Sequence, residues 1–349
     1  MKYKGLIYHG AKDFRMEELE MPEVGDKDVI LKCVVASVCG ADADTWLNGG
    51  EMHYFPEVCE FGHEVSCEVY AVGKDVEGIS VGDRVAPFPL MTTPNPRKAG
   101  YLGGFSEYIY CTNASYATNL LKLPENVSYE EAALVEPLSV GLRGADIVPM
   151  DESKKALILG AGFIGFALAA GLVWKGVKPE NIAIVDKSPY RLAICKDAGY
   201  HAINSTQPDW KEQVIAAIGA ARSVYGPGCD ADVIYDCAGS RDPDSSAPTL
   251  MEEGIQLLKY FGKFVCVGVH RRQPKLNIQK LVFGMYDILC GSGNTHDYFE
   301  LAVEILASKK FDFTKTIDEA YSKEHMMDAI LASCDTDHVC MRVQIDYRK

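Results

Sequence analysis

The feature that most constrains this fold is a short apolar run followed at once by a glycine-rich loop. Ala156–Leu159 predicts a buried strand, and Gly160, Gly162 and Gly165 follow with the spacing Gly-x-Gly-x-x-Gly. The next segment is apolar and rich in small residues, which favours a helix. A glycine loop between a strand and a helix is the setting in which the pyrophosphate of a dinucleotide binds.

Each position of this loop has a physical role. Gly160 permits the tight turn, Gly162 lets the backbone approach the pyrophosphate, and Gly165 allows the helix to pack closely on the strand. Phe163 and Ile164 begin the helix, whose N-terminal N–H groups and positive dipole end favour phosphate. The sequence therefore predicts a cofactor site here.

An acidic residue ends the next predicted strand, residues 182–185. Asp186 stands where a carboxylate takes the ribose hydroxyls, and its charge disfavours the 2′-phosphate of NADP, so we expect NAD. Lys187 and Arg191 lie nearby in the sequence and weaken this preference without reversing it.

The remaining pattern divides the chain into a β-rich part and an alternating α/β part. Glycine and proline join the first strand candidates at short intervals: 29–35, 65–72, 83–86 and 106–111. A helix with Ser128 as its N-cap is predicted at 129–134. Helices, for example 190–197 and 208–220, then alternate with predicted strands: 156–159, 182–185, 202–204, 233–235 and 264–267. This alternation predicts a parallel, doubly wound sheet, and the tail adds a helix at 299–308 and a strand at 339–345.

Length, charge and cysteine usage set the broad class of protein. A chain of 349 residues exceeds one typical core, so two domains are expected. The net charge of −14 argues against nucleic acid or an anionic membrane as a partner, because both repel an acidic surface. No signal peptide or membrane-spanning run is recognisable, so we expect a cytoplasmic location. The 12 cysteines are scattered, and several, including Cys290, lie in apolar runs typical of buried, reduced thiols.

A second motif offers metal ligands. Cys39, followed by Gly40, supplies a thiolate, and the run Phe61-Gly62-His63-Glu64 supplies an imidazole and a carboxylate. These ligand types suit zinc in a site that keeps one position open. Zinc to polarise an alcohol and a nicotinamide to accept hydride together make a dehydrogenase.

Five short motifs occur in the order found in one known family. They are Cys39-Gly40-Ala41-Asp42, Gly62-His63-Glu64, Gly82-Asp83-Arg84-Val85, Gly103-Gly104-Phe105-Ser106-Glu107-Tyr108 and Glu136-Pro137-Leu138. Over nearly its whole length the chain resembles the zinc-containing medium-chain dehydrogenase/reductase, or alcohol dehydrogenase, family. The last motif and Gly293-Asn294-Thr295 make it most similar to the polyol branch of sorbitol, galactitol-phosphate and threonine dehydrogenases.

The resemblance implies an α/β architecture in which one domain is split around another. Residues 1–140 and 291–349 are expected to form a GroES-like, β-rich catalytic domain. Residues 141–290 are expected to form a Rossmann domain, a doubly wound parallel sheet that binds NAD. The active site is expected in the cleft between the domains, and the assembly is expected to be a homodimer or homotetramer.

The resemblance also implies roles for individual residues. Cys39 and His63 are the expected zinc ligands, and either Glu64 or Glu136 is the expected third ligand. The other glutamate is expected to coordinate zinc directly, through a water molecule, or intermittently as substrate arrives. Arg342 matches a position that reaches the cofactor pyrophosphate in some members of the family.

Proton transfer is expected to depend on the segment that follows Cys39. Asp44, Thr45 and His53 lie where the family builds its proton relay and substrate pocket. Glu64, next to a metal ligand, and water bound to zinc are alternative proton acceptors.

Four departures from the family pattern modify these expectations. Residues 87–104 contain neither cysteine nor histidine, so the family's structural zinc should be absent and one catalytic zinc per subunit is expected. Ala41 replaces the usual Ser or Thr of the proton relay, and Cys67 replaces a Gly. Gly291 stands where the sorbitol enzyme has an Arg that contacts the polyol, so a sorbitol-like substrate does not follow.

Three functions are compatible with these residues. The leading hypothesis is a zinc- and NAD-dependent oxidoreductase acting on a secondary alcohol of a polyol, sugar, cyclitol or sugar derivative, within carbohydrate metabolism. The second is an epimerase or lyase that uses bound NAD for transient oxidation and retains it through turnover. The third is a non-catalytic, dehydrogenase-like protein, which Ala41 and Cys67 permit but the intact ligand set argues against.

Overall fold

A computed structural model describes residues 1–55, 58–92, 102–240, 242–291, 293–335 and 340–349. The chain forms two compact units, one of Met1–Pro137 with Thr295–Lys349 and the other of Leu138–Asn294. These boundaries differ by three and four residues from those at 140 and 291 in the sequence-based division. Among the described residues, no helix is both long and apolar enough to cross a bilayer.

The N-terminal part of the first unit is mainly β-structure. Its elements are β1 (Lys2–Gly10), β2 (Asp13–Glu20), β3 (Val29–Ser37), α1 (Gly40–Asn48), β4 (Cys59–Glu60), β5 (Glu64–Val72), β6 (Arg84–Pro87), α2 (Pro89–Thr92), β7 (Tyr108–Cys111), β8 (Leu120–Lys122) and α3 (Tyr129–Ala132). The sequence predicted β3, β5, β6, β7 and α3, and Ser128 caps α3 as expected. It missed the β1–β2 hairpin, because the charged residues of β2 hide its alternation.

The second unit alternates strands and helices. Its elements are α4 (Val135–Asp146, which begins at the junction), β9 (Ala156–Leu159), α5 (Phe163–Trp174), β10 (Ile182–Asp186), α6 (Pro189–Asp197), β11 (His201–Asn204), α7 (Trp210–Ile218), β12 (Ala220–Ser223), β13 (Gly226–Cys229), β14 (Val233–Asp236), α8 (Leu250–Gly254), β15 (Lys263–Cys266), α9 (Ile278–Gly284) and β16 (Asp287–Cys290). The main sheet has the order β11-β10-β9-β14-β15-β16, and each pair of neighbours is parallel. This order, which reverses at β9, confirms the predicted Rossmann sheet.

The C-terminal segment returns the chain to the first unit. It contains α10 (His296–Ser308), β17 (Ile317–Ser322), α11 (Met326–Cys334) and β18 (Arg342–Asp346). One sheet has the order β17-β18-β3-β5-β6-β8 with β7 also on β3, and the other has the order β2-β1-β4. Pairing of β18 with β3 brings Arg342 to the region where β3 ends and α1 begins. Val339, at the start of the predicted last strand, and residues 93–101, within the segment that lacks cysteine and histidine, lie outside the described residues.

All 12 cysteines are free thiols, and of those predicted to be buried in apolar runs Cys237 and Cys266 are half-buried. Cys33 and Cys67 face each other between β3 and β5, both fully buried, so the residue that replaces the family's Gly is a core thiol. Cys290, predicted to be buried, is exposed. It lies on β16, the outermost strand of its sheet, where an apolar run does not guarantee burial.

Candidate active site

Three of the predicted ligands come together where α1 and β5 begin. Cys39 is the N-cap of α1, His63 directly precedes β5, and Glu64 is the first residue of β5. One ligand atom from each side chain lies within 4.8 Å of the others. A thiolate, an imidazole and a carboxylate at that spacing fit a catalytic zinc that keeps a position open.

Local structure fixes the orientation of these ligands. The Cys39 N–H donates to the Asp42 carboxylate at 2.8 Å, and the Cys39 Sγ accepts from the Ala41 N–H at 3.5 Å, which closes a capping box on α1. Gly62 has φ +91°, and a Cβ there would lie 2.9 Å from the Phe105 ring. A side chain at this position is excluded, so glycine is needed for the turn that presents His63.

Buried polar atoms of this cluster are not fully hydrogen-bonded within the described residues. Among the described residues, Oε1 of Glu64 and Nδ1 of His63 are buried without a hydrogen-bond partner, and Oε2 of Glu64 has an ion pair with Arg342 in place of a hydrogen bond. Burial raises the pKa of Glu64 well above its usual range, although the Arg342 guanidinium, with Nη1 3.1 Å from Oε2, opposes this. Unpaired buried donors and acceptors of these types fit a bound metal ion, which would take the place of the missing partners.

The charges around the cluster favour a cation. Burial raises the pKa of the Cys39 thiol, and the charges of Asp42 and Glu136 raise it further, against the opposing charge of Arg342. Burial lowers the pKa of His63, but the same two carboxylates and Glu64 outweigh burial and raise it. A divalent ion would offset this excess of negative charge and stabilise the thiolate.

The structure separates the two candidates for the third ligand. Glu64 belongs to the compact group with Cys39 and His63. Glu136, the second residue of α4, is not a member of that group, yet it is near enough for its charge to act on both. Its role toward zinc stays a prediction.

A second polar pair lies farther along α1. Asp44 is buried: one oxygen of its carboxylate accepts from Asn48 Nδ2 at 2.8 Å, and the other lies 2.8 Å from His53 Nε2. The Thr45 hydroxyl is buried and has no hydrogen-bond partner in the part of the chain that the structure describes. The Asp42 carboxyl, whose pKa burial raises, feels the charges of both His63 and His53. Asp42 is therefore near enough to both His63 and His53 for their charges to act on it.

The glycine loop of the second unit has the geometry that its spacing predicts. Gly160 has φ +104°, and a Cβ on it would meet the Ala238 backbone at 2.8 Å. A Cβ on Gly165 would lie 2.0 Å from the Gly160 carbonyl oxygen, so α5 packs directly on the turn. A Cβ on Gly162, the N-cap of α5, would meet only Arg191 Nη1 at 4.0 Å. The free space at Gly162 is where a pyrophosphate can approach the backbone.

Asp186 braces this loop. Its carboxylate accepts from the Ala161 N–H at 2.7 Å and from the Ser188 N–H at 2.8 Å, at the carboxyl end of β10. Lys187 is exposed, and Arg191 is half-buried on α6. Phe163 and Ile164 form the first turn of α5, with Phe163 buried. These residues fit the adenosine side of a dinucleotide site, and their contacts with NAD stay predictions.

Two features of the site were not predicted from the sequence. The capping bond from Cys39 to Asp42 had a local signal, because a residue that accepts at the N-cap and a carboxylate three positions later form a capping box. The approach of Arg342 to Glu64 and to the Val38 carbonyl, at 2.9 Å, had no local signal. It depends on β18, which is distant in the sequence, and the predicted contact of Arg342 with pyrophosphate is untested.

Comparison with known proteins places these features in context. A family model described as the alcohol dehydrogenase GroES-like domain matches residues 25–125, and one described as zinc-binding dehydrogenase matches residues 164–308. The sorbitol dehydrogenase of Bacillus subtilis (strain 168) is 27% identical over 362 residues, covering 98% of this chain and 96% of that protein.

Solved structures share the fold. The 2R,3R-butanediol dehydrogenase of Bacillus subtilis superimposes with a TM-score of 0.81 and 23% identity over 99% of each chain. A short chain alcohol dehydrogenase of E. coli CFT073, solved with NADH, gives a TM-score of 0.80 and 24% identity over 99% of each chain. These likenesses confirm the split arrangement of a GroES-like and a Rossmann domain.

Proposed function

This chain belongs to the zinc-containing medium-chain dehydrogenase/reductase family, and we propose that it transfers hydride between NAD and a secondary alcohol of a polyol, sugar, cyclitol or sugar derivative. The observation that carries the proposal is the grouping of Cys39, His63 and Glu64 ligand atoms within 4.8 Å, in a chain that also forms a glycine loop with Asp186 at its edge. The similarity to sorbitol dehydrogenase supports the polyol class. The comparisons give no support to an epimerase, a lyase or a non-catalytic protein.

The chain's own residues prepare the metal site for this reaction. When bound, zinc lowers the pKa of the substrate hydroxyl, and NAD accepts the hydride. Cys39 and His63 hold the metal ion, and the capping bond of Asp42 to the Cys39 N–H keeps the thiolate in place. Arg342 places a positive charge beside Glu64, which opposes the rise in the pKa of this carboxyl group that burial causes.

Proton release takes a different route from the family pattern, because Ala41 has no hydroxyl. The Asp44–His53 pair offers an acceptor that reaches the surface: the His53 side chain is 17% exposed and that of Asp44 is 7% exposed. Proton transfer from the metal site toward His53, past Asp42, is the route we propose. The alternative acceptors are Glu64 and zinc-bound water.

The assembly we propose is a homodimer or homotetramer built on the outer edge of the parallel sheet. In the part of the chain that the structure describes, β16 is the outermost strand of that sheet. Phe261, Val282, Phe283 and Met285 beside it are between 52% and 68% exposed. An open strand edge next to a large apolar patch favours pairing with a second copy. A monomer by analytical ultracentrifugation would contradict this assembly, and Phe283→Glu should convert a dimer to monomer.

A substrate screen tests the proposed function. Purified protein is mixed with NAD and a panel of polyols, cyclitols and sugar phosphates, and NADH absorbance is followed, with the Cys39→Ser variant as the matched control. We expect one chemical class to give NADH with the unmodified protein and no signal with the variant. Activity in the variant equal to that of the unmodified protein would contradict the zinc chemistry. A role in cytoplasmic carbohydrate metabolism follows if the substrate is a polyol or sugar.

A further inference from the structure

A second polar cluster lies at the carboxyl edge of the parallel sheet, on the half opposite Asp186. Asp236 ends β14, and His270 lies four residues beyond the end of β15. The His270 Nε2 and Asp236 Oδ2 atoms are 2.5 Å apart, and the two side chains are 9% and 0% exposed. A buried carboxylate at this distance orients the imidazole and holds its Nε2 proton.

Backbone contacts brace the two loops that carry this pair. The Ser240 N–H donates to the Val269 carbonyl at 3.1 Å, and the Arg271 N–H donates to the Ser240 carbonyl at 2.8 Å. Gly239 and Gly268 pack so closely that a Cβ on Gly268 would lie 2.7 Å from the Gly239 nitrogen. The loops after β14 and β15 therefore form one braced surface, called here the β14–β15 platform.

Two buried atoms on the β14–β15 platform have no hydrogen-bond partner among the described residues. They are Nδ1 of His270 and Oγ of Ser240. Because the Nε2 atom of His270 is bonded to Asp236, Nδ1 is the ring atom left to bond a ligand. Buried polar atoms are nearly always paired in folded proteins, so unpaired atoms on a braced surface indicate a partner that arrives separately.

The β14–β15 platform adjoins the glycine loop. A Cβ on Gly160 would lie 2.8 Å from the Ala238 backbone, so the turn after β9 touches the loop after β14. In sheets of this strand order a dinucleotide lies across the point where the order reverses. Asp186 marks the half of the sheet that takes the adenosine ribose, which leaves β14 and β15 to the nicotinamide half.

We propose that His270, oriented by Asp236, binds the nicotinamide half of NAD, and that its Nδ1 atom accepts a hydrogen bond from a ribose hydroxyl or the carboxamide N–H. Ser240 provides a second polar contact from the same platform. The inference rests on the use of NAD in the proposed function, and it adds a binding residue that the glycine motif does not contain.

Two ligands and two substitutions test this assignment. NADH and ADP are titrated by calorimetry into the zinc-loaded protein, because ADP lacks the nicotinamide half. His270→Gln keeps an amide donor for Asp236 but removes the acceptor at the Nδ1 position, and Ser240→Ala removes only the hydroxyl. His201→Gln, at the amino end of β11, is the matched control.

The expected result is a loss of NADH affinity of about tenfold in His270→Gln, and a smaller loss in Ser240→Ala, with ADP affinity unchanged in both. Unchanged NADH affinity in His270→Gln would overturn the proposal and leave the Asp236–His270 pair as a brace. An equal loss for ADP and NADH would also overturn it, since it would show a structural effect on the whole site. If the unmodified protein binds neither ADP nor NADH, it does not use NAD as a cofactor. The proposed function then fails together with this inference.

Discussion

The metal cluster is made of side chains from distant parts of the chain, whereas the glycine loop is made of backbone from one short segment. Cys39, His63 and Glu64 meet because β3, which leads to Cys39, pairs with β5, and Arg342 joins them because β18 pairs with the other side of β3. The glycine loop is a single segment after β9, in which Gly165 packs on the Gly160 carbonyl oxygen, although Gly160 also lies against the Ala238 backbone. Substitutions in the cluster should therefore change chemistry, and substitutions in the loop should change cofactor binding and fold.

The largest expected effect is on the metal cluster. Cys39→Ser or His63→Ala should lower kcat by on the order of a thousandfold, because losing the metal removes about 4 kcal/mol of charge stabilisation in the transition state. NADH affinity should stay within about twofold, since the glycine loop belongs to the other unit. Steady-state rates and NADH titration measure both effects. Near-normal turnover in either variant would contradict the role of this cluster in the reaction.

The preference for NAD over NADP should depend mainly on Asp186, which ends β10 beside the glycine loop. Asp186→Ser removes the carboxylate that meets the ribose hydroxyls, and the preference for NAD over NADP should fall by about a hundredfold, as expected for a lost charge-assisted contact of roughly 3 kcal/mol. The ratio of kcat/KM values for the two cofactors measures it. Equal use of both cofactors by the unmodified protein would contradict this role.

The glycine positions should separate fold from binding. Gly165→Ala should lower the free energy of unfolding by about 1–3 kcal/mol, because its Cβ would lie 2.0 Å from the Gly160 carbonyl oxygen. Gly162→Ala has space for a Cβ, so its stability should change by less than about 0.5 kcal/mol while NADH affinity falls. Urea unfolding and NADH titration of the pair test this. A large loss of stability in Gly162→Ala with little change in Gly165→Ala would contradict the roles assigned to these two glycines.

The smallest expected effect is a pH dependence of stability in the cofactor-binding unit. Burial favours a raised pKa for Glu252, but its bonds with Arg272 and with the Thr249 and Lys275 N–H groups outweigh burial and lower the pKa to about 2. A lowered pKa in the folded state stabilises the protein above the ordinary value of 4.5, and that contribution is lost as pH falls toward 2. Glu252→Gln should therefore lower stability by about 2 kcal/mol at pH 7 and by less at pH 3.5.

Urea unfolding of both proteins at the two pH values gives this difference, with Glu253→Gln as the control. A gap between unmodified protein and Glu252→Gln that grows as the pH falls would contradict the sign of the shift.

The sequence predicted the fold more completely than the site, for reasons that differ between the two regions. Five of the six parallel strands were predicted, because a short apolar run such as β9 is typical of a strand buried on both faces. The sixth strand, β16, was missed because it is partly exposed and begins with a charged residue. The hairpin of β1 and β2 and the strand β17 were missed because exposed, charged positions interrupt their pattern. The fold class and the family were predicted correctly, through motifs that occur in a fixed order.

Within the site, local motifs were informative and long-range contacts were not. Gly160, Gly162 and Gly165 lie within six residues, and Gly165 packs on the Gly160 carbonyl oxygen, so their spacing indicates the form of the turn. The contact of Arg342 with Glu64 joins residues almost 280 positions apart, and no local pattern encodes it. The exposure of Cys290 likewise depends on which strand lies at the edge of the sheet, a property of the whole sheet.

Zinc content measured together with NADH binding tests the central claim most directly. Elemental analysis of the purified protein should give one zinc per chain, and the Cys39→Ser variant should give close to none while it still binds NADH. Chelation should remove activity with little loss of helical signal, because residues 87–104 hold no cysteine or histidine for a structural metal. Two zinc ions per chain, or a Cys39→Ser variant that keeps its zinc, would contradict the account.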